Sequence, residues 1–334
     1  LRLRARAARP SDLDREIRRY LDTLADSYRL DGGCLHLVGG AFRALARAQM
    51  SRTGYPLEVL HEYRLGADAA LGLADWAAVA KPEKLADLPG VSAARAPDLP
   101  LTARLLGHLI RVLQPGAVQV SAFGLREGVC LDNLAPGIRQ EDALLAAARE
   151  QERRRARAPG FGEELGDWVV RLLMPSDPRE ERLMRAAALL SDVNWRTHPD
   201  YRSQNCWETV TRVNLTDLGH EGRIFIGTAL VARYNKRPLK AMGETAALAL
   251  LPERRRAAAV RLGLAMRLGS VLAGSAPGVL AYCDTARGDG EVALTLRGPA
   301  EPFSGEEVEK RLAAFARSLD LGWRLRGGGG ERAG

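Results

Sequence analysis

Gly39 and Gly40 stand between a short apolar run, Cys34 to Val38, and a segment in which Leu45 and Met50 alternate with Arg43 and Arg47. Read as strand, turn and helix, this puts two glycines at the carboxyl end of a strand. Glycine there lets a ligand approach the backbone, and the free amides and positive dipole end of the next helix suit an anion such as phosphate. Arg43 would add a planar, permanently charged fork. A Gly-Gly turn between strand and helix also arises as plain topology. A second turn, Phe123-Gly124-Leu125-Arg126-Glu127-Gly128, follows an apolar strand over Ala117 to Ala122. Two glycine turns with an arginine apiece can face one cleft, or Arg126 and Glu127 can pair with each other or with solvent.

Further on, Arg153, Arg154, Arg155 and Arg157 form a basic run, either a solvated face or a track for a polyanion. Asp192, His198 and Asp200 invite a metal reading. A helical metal-dependent phosphohydrolase needs adjacent His-Asp ligands plus more histidines, and here the dipeptide is Ser191-Asp192, with His198 and His220 alone in the region. No metal ligand is therefore expected, and His198 is given a polar structural role with a phosphate contact.

The elements that must position these residues follow from pattern. Ser11, as a cap, starts a helix through Ile17, Leu21 and Leu24. An extended segment spans Leu57 to Leu65, helices Ala67 to Val79, a short one ending at Leu85 to Leu88, and Leu101 to Leu113. Strands separated by helices imply an α/β domain with a partly parallel sheet. From Pro136 to about Ala276 the pattern is helical, with helices at Glu163 to Leu173, Arg179 to Leu190, Thr209 to Leu215, Arg223 to Tyr234 and Glu253 to Leu272. Beyond it come strands Val279 to Cys283 and Val292 to Leu296, helix Ser304 to Leu319 and strand Gly322 to Leu325. The expected domains are 1–135, 136–277 and 278–326, with a disordered tail over 327–334.

With 334 residues, 46% of them hydrophobic, the chain can bury a sizeable core. The four cysteines are dispersed without a C-x-x-C pair, which excludes a disulfide scaffold and fits a reducing, cytoplasmic setting. A net charge of +8 invites a polyanionic partner, although an arginine surplus in an alanine-rich chain also follows from GC-rich coding. Nucleic acid ranks last among such partners, because aromatic residues make up 5% and no stacking motif is present. No apolar run is long enough to span a bilayer.

Three segments in order, VGGAFRALARAQM followed by TGYPLEVLHEY, then SAFGLREGV, then LLSDVNWRTHPDYR, resemble the exopolyphosphatase and guanosine pentaphosphate phosphohydrolase family, Ppx/GppA, in its alphaproteobacterial form. The resemblance runs from about Leu1 to Leu325. It implies an α/β plus all-α architecture: an incomplete actin-type, ribonuclease-H-like α/β lobe, an HD-like helical domain and a small ββαβ C-terminal module. It also implies hydrolysis of the terminal phosphoanhydride of inorganic polyphosphate or of the 5′ phosphate of guanosine pentaphosphate, a Mg2+-type ion and a homodimer. Gly39, Gly40, Arg43, Arg126 and Glu127 then become the phosphate-binding residues, and Arg153, Arg154, Arg155, Arg157 and His198 a polyphosphate channel. Ala41 and Phe42 depart from the family's usual threonine and tryptophan. The family's Asp-x-Gly-Ser-Asn-Ser loop, catalytic glutamate and Asp-x-Gly-Gly-Gly-Ser loop are not in the sequence, so the chain is expected to begin partway through a longer protein and to be catalytically incomplete. The competing expectation is a non-catalytic polyanion-binding or dimerisation module.

Overall fold

The computed structural model describes residues 10–213, 215–235, 238–242, 246–288, 290–328 and 330–334. Its contacts divide the chain into two compact units, Leu1–Arg139 and Gln140–Gly334, both mixing helices with a small sheet or packing around one.

In the first unit α1 (Pro10–Tyr28) leads to β1 (Cys34–Leu37), α2 (Gly40–Thr53), β2 (Tyr63–Gly66), α3 (Ala67–Val79), α4 (Pro82–Ala86), α5 (Leu99–Leu113), β3 (Ala117–Val120), α6 (Leu125–Asp132) and α7 (Pro136–Arg139). Ala117, Val118 and Val120 are buried, so β3 takes the centre of the sheet, in the order β1-β3-β2. It runs parallel to β1, with Leu37 opposite Val120, and antiparallel to β2, with Tyr63 opposite Val120. The carboxyl ends of β1 and β3 therefore open at the same level, and α2 and α6 follow directly from them. Behind the sheet, Leu45, Leu73, Ala77, Leu99 and Leu106 share one core. Gly107 of α5 lets Ala74 of α3 approach to 3.6 Å of where a Cβ would stand. Asp14 fastens α1 to α5 by accepting from Arg104 at 3.1 Å and meeting His108 Nε2 at 3.0 Å.

Several local expectations shift. α1 already includes Ser11, so that residue does not precede the helix as its cap. The extended stretch from Leu57 shrinks to Tyr63–Gly66, and α2 before it continues to Thr53, where Gly54, at φ 59°, closes it in the left-handed conformation. The short helix starts at Pro82, where a first-turn proline costs no hydrogen bond, and ends at Ala86. Arg126, Glu127 and Gly128 lie within α6 and not in an open turn.

The second unit carries α8 (Ala143–Arg155), α9 (Phe161–Leu173), α10 (Pro178–Leu190), α11 (Pro199–Arg212), α12 (His220–Tyr234), α13 (Pro238–Ala241) and α14 (Glu253–Ala273), followed by β4 (Cys283–Gly288), β5 (Glu291–Leu296), α15 (Glu306–Arg317), β6 (Gly322–Gly327) and β7 (Gly330–Ala333). α12 is buried on every side from Arg223 to Arg233, with Ile224, Phe225, Ile226 and Leu230 in the core, which makes it the central helix. Gly263 lets α14 cross it against the Ala229 carbonyl and the Ala232 methyl. Buried Arg223 donates to the carbonyls of Val210, Val213 and Leu215, satisfying the end of α11. The second sheet has the order β4-β5-β6-β7, and Trp168 of α9 joins it to the helices by donating its Nε1–H to the Cys283 carbonyl at 2.9 Å.

The helix expected over Thr209 to Leu215 is instead α11, displaced toward the N-terminus. Its face is mostly polar, with Cys206, Val210 and Thr211 as its buried residues, so its start is marked by Pro199 and not by apolar period. Residues 279 to 282 turn in a short 3-10 segment before β4. The tail expected to be disordered carries β7, paired antiparallel to β6, with Trp323 and Gly334 exchanging backbone bonds of 2.8 and 3.0 Å. Backbone pairing needs no side-chain signal, which is why a glycine-rich tail conceals it.

Candidate functional site

The site builds from the carboxyl ends of β1 and β3. After Leu37 the chain turns at Gly39, whose φ of 114° and ψ of 160° suit glycine alone, and α2 begins at Gly40 with no side-chain cap. The first-turn amides of α2 thus lack a side-chain acceptor. The Gly40 backbone is covered by the guanidinium of Arg95, whose Cζ lies 2.6 Å from where a Cβ would stand. Only glycine admits that approach.

Beside it, the second turn has its amides from Ser121 to Gly124 engaged. Ser121 N–H donates to the Leu37 carbonyl at 2.9 Å, Ala122 N–H to His61 Nδ1 at 3.4 Å, Phe123 N–H to Ser121 Oγ at 3.1 Å and Gly124 N–H to Glu127 Oε2 at 2.7 Å. The Ala122 carbonyl accepts from Arg43 Nη1. The His61 ring, 7% exposed, meets the Phe123 ring edge-on with centroids 4.7 Å apart. Glu127 is the N3 residue of α6, and the Gly124 amide holds its carboxyl below the usual carboxylate range; its own backbone amide and then Arg126 and Arg43 reinforce the shift.

The structure thus brings Gly39, Gly40, Arg43, Arg126 and Glu127 together, but with altered roles. Arg43 ties α2 to the second turn. Glu127 occupies the amide end of α6 where an external anion would otherwise sit. Arg126 is exposed in the first turn of α6. Sequence reasoning missed His61 and Arg95. His61 lay within the TGYPLEVLHEY segment, but the amide it accepts from, that of Ala122, is 61 residues away. Arg95 lies in a loop, where nothing in the local pattern marks it.

In the second unit the basic run divides its work. Arg153 and Arg154 both pair with Glu150. Arg155 reaches Gln151 and Asn194, each at 3.4 Å, while its carbonyl accepts from Trp195 Nε1 at 3.0 Å. Arg157 Nη2 donates to Asp192 at 3.3 Å, and the guanidiniums of Arg157 and Arg196 lie 5.8 and 5.2 Å from the centre of the Trp195 ring. Buried Asp192 also meets buried Arg233 at 3.4 Å, and Arg233 donates to Ser270 at 3.1 Å and Ser275 at 3.3 Å. His198 is exposed and caps α11, its Nδ1 accepting from Asp200 N–H at 3.3 Å.

A family model described as Ppx/GppA phosphatase family matches residues 8–136, and one described as exopolyphosphatase, C-terminal, matches residues 144–324. The chain belongs to the Ppx/GppA family. Both glycine turns fall in the first match, and the basic run with His198 in the second. No curated protein matches the chain. Membership in Ppx/GppA implies exopolyphosphatase- or GppA-type phosphatase chemistry, in a family that generally depends on a divalent metal. Among the described residues no three His, Cys, Asp or Glu side chains come together as a cation requires. Nor is any helix among them long and apolar enough to cross a membrane.

Proposed function

We propose that this chain serves a cytoplasmic exopolyphosphatase-type phosphoanhydride hydrolase, and that the turn at Gly39 and Gly40 holds the terminal phosphates of inorganic polyphosphate or of guanosine pentaphosphate. The observation that carries this is the contrast between the two turns. α6 has its amide end taken by its own Glu127, whereas α2 has no side-chain cap and carries the Arg95 guanidinium against its positive end. A cation placed there is repelled by the helix dipole until an anion lies between them. A terminal phosphate would accept from the first amides of α2 and from Arg95, with Arg126, exposed in the first turn of α6, as a further cation for it. As the anhydride breaks, charge grows on the transferred phosphoryl group, and these donors offset it.

On this reading the carboxylate that directs water is none of these groups, because Glu127 is held as a cap by the Gly124 amide. The chain as it stands is therefore expected to bind polyphosphate without turning it over. Incubation with long-chain polyphosphate and Mg2+ should leave inorganic phosphate at background while polyphosphate binding is retained; sustained release of phosphate would overturn the claim of incompleteness, and absent binding would overturn the assignment itself. The polyanion-binding reading without chemistry is favoured by the same Glu127 geometry and differs in one outcome. Supplying the two phosphate loops and glutamate on a longer chain restores phosphate release only if this is a hydrolase. In the second unit, Arg157 and Arg196 beside Trp195 form a separate basic patch for a polyanion, with Arg153, Arg154, Arg155 and His198 around it in supporting roles.

A further inference from the structure

Ala122 is gripped on both sides by side chains from elsewhere in the fold. Its N–H donates to His61 Nδ1 at 3.4 Å, and its carbonyl accepts from Arg43 Nη1. His61 precedes β2, and Arg43 lies in the first turn of α2, so the two sides of one peptide residue connect the edge of the sheet to the helix that opens the proposed phosphate turn. The neighbouring amides of Phe123 and Gly124 are bonded within the turn itself, to Ser121 Oγ and Glu127 Oε2. Beyond the Ser121 amide held by the Leu37 carbonyl, Ala122 is thus the residue at which side chains from elsewhere set the position of the second turn, and of the Arg43 guanidinium with it.

We infer that His61 is a positioning residue for phosphate capture: as acceptor for the Ala122 amide it fixes the strut between Ala122 and Arg43, and so the direction in which Arg43's remaining donors face. The inference rests on the proposed binding of a terminal phosphate at Gly39 and Gly40. An acceptor at Nδ1 requires the neutral tautomer with its proton on Nε2, the side on which Glu62 Oε1 lies 3.9 Å away. Its burial and its edge-on contact with Phe123 hold the ring in one orientation. A guanidinium aimed in advance loses less conformational freedom on binding than a free one, which is where the affinity gain arises.

Three variants of the whole chain separate this from a merely structural histidine. His61→Leu removes the acceptor. His61→Asn keeps an oxygen near the place of Nδ1, and His61→Gln carries its oxygen about one bond further out. Sodium tripolyphosphate is titrated calorimetrically into each, with thermal unfolding followed in parallel. The expected result is a loss of about tenfold in affinity for His61→Leu and His61→Gln, with His61→Asn within about threefold of the parent. If His61→Leu does not fold, the comparison of Gln with Asn carries the test. Equal affinity in all variants, whatever their unfolding temperatures, overturns the inference and leaves the binding assignment standing; so does an Asn variant as weak as Gln. A parent chain that does not bind tripolyphosphate overturns the assignment and the inference together.

Discussion

At the scale of single residues, the site depends on an absent side chain and on a carboxylate held as a cap. Gly40→Ala places a methyl where the Arg95 guanidinium now rests, while the helical conformation at Gly40 accepts alanine. The variant should fold with an unfolding temperature close to the parent's and bind polyphosphate about three- to tenfold more weakly, as a charge-assisted contact is displaced. Unchanged affinity in equilibrium titration would show that Arg95 does not contribute. Glu127 gives a pH signature. Its folded-state pKa is depressed, chiefly by the Gly124 amide, so the cap contributes stability above the ordinary carboxylate range and is lost as pH falls through the depressed value. The Gly124 amide resonance should therefore move with a midpoint below the ordinary glutamate range, and Glu127→Gln should abolish that movement.

At the scale of elements, one helix is capped by another. Glu152 near the end of α8 is buried, and its carboxylate accepts from the amides of Gly160 at 3.0 Å and Gly162 at 2.7 Å at the start of α9. Burial raises its pKa against the pull of those amides, so its ionisation opposes folding as pH rises through the raised value. Glu152→Gln keeps an acceptor and should unfold at or above the parent's temperature at pH 8. Glu152→Ala leaves both amides without it and should cost about 1–3 kcal/mol by denaturant titration. Gly263→Ala, which drives a methyl toward the Ala229 carbonyl of α12, should cost about 1–3 kcal/mol in the same assay, with no effect on polyphosphate affinity.

The elements legible in the sequence were those with local punctuation. β1, Gly39 and α2 announce themselves through an apolar run, a glycine pair and Gly54, and α3 falls on its expected bounds, Ala67–Val79. α11 was misplaced because its buried face is small and its start lies in a proline and a histidine cap. β7 was hidden because its partner is a backbone edge.

At the scale of the whole molecule, what escaped sequence reading is contact between distant residues. Arg43 looked like a free phosphate fork, but its partner Ala122 lies 79 residues on, so its role as a strut had no local trace. The run from Arg153 to Arg157 reads in sequence as a solvated face or a polyanion track, and the groups that engage it, Glu150, Asp192 and Trp195, are brought to it only by the fold. The net charge of +8 is thus partly neutralised where it is densest, and the half-buried positive end of α2 beside Arg95 is the seat proposed for the anion.

The most direct measurement is a salt titration of long-chain polyphosphate binding to the chain, with duplex DNA as competitor, for the parent, Arg95→Ala and Arg126→Ala. Binding should weaken steeply as salt rises, because several phosphates are neutralised, with a preference for polyphosphate and a loss of about tenfold in each variant. Equal affinity for both polyanions, indifferent to Arg95 and Arg126, would contradict a phosphate seat at the glycine turn and leave the positive charge as a property of composition alone.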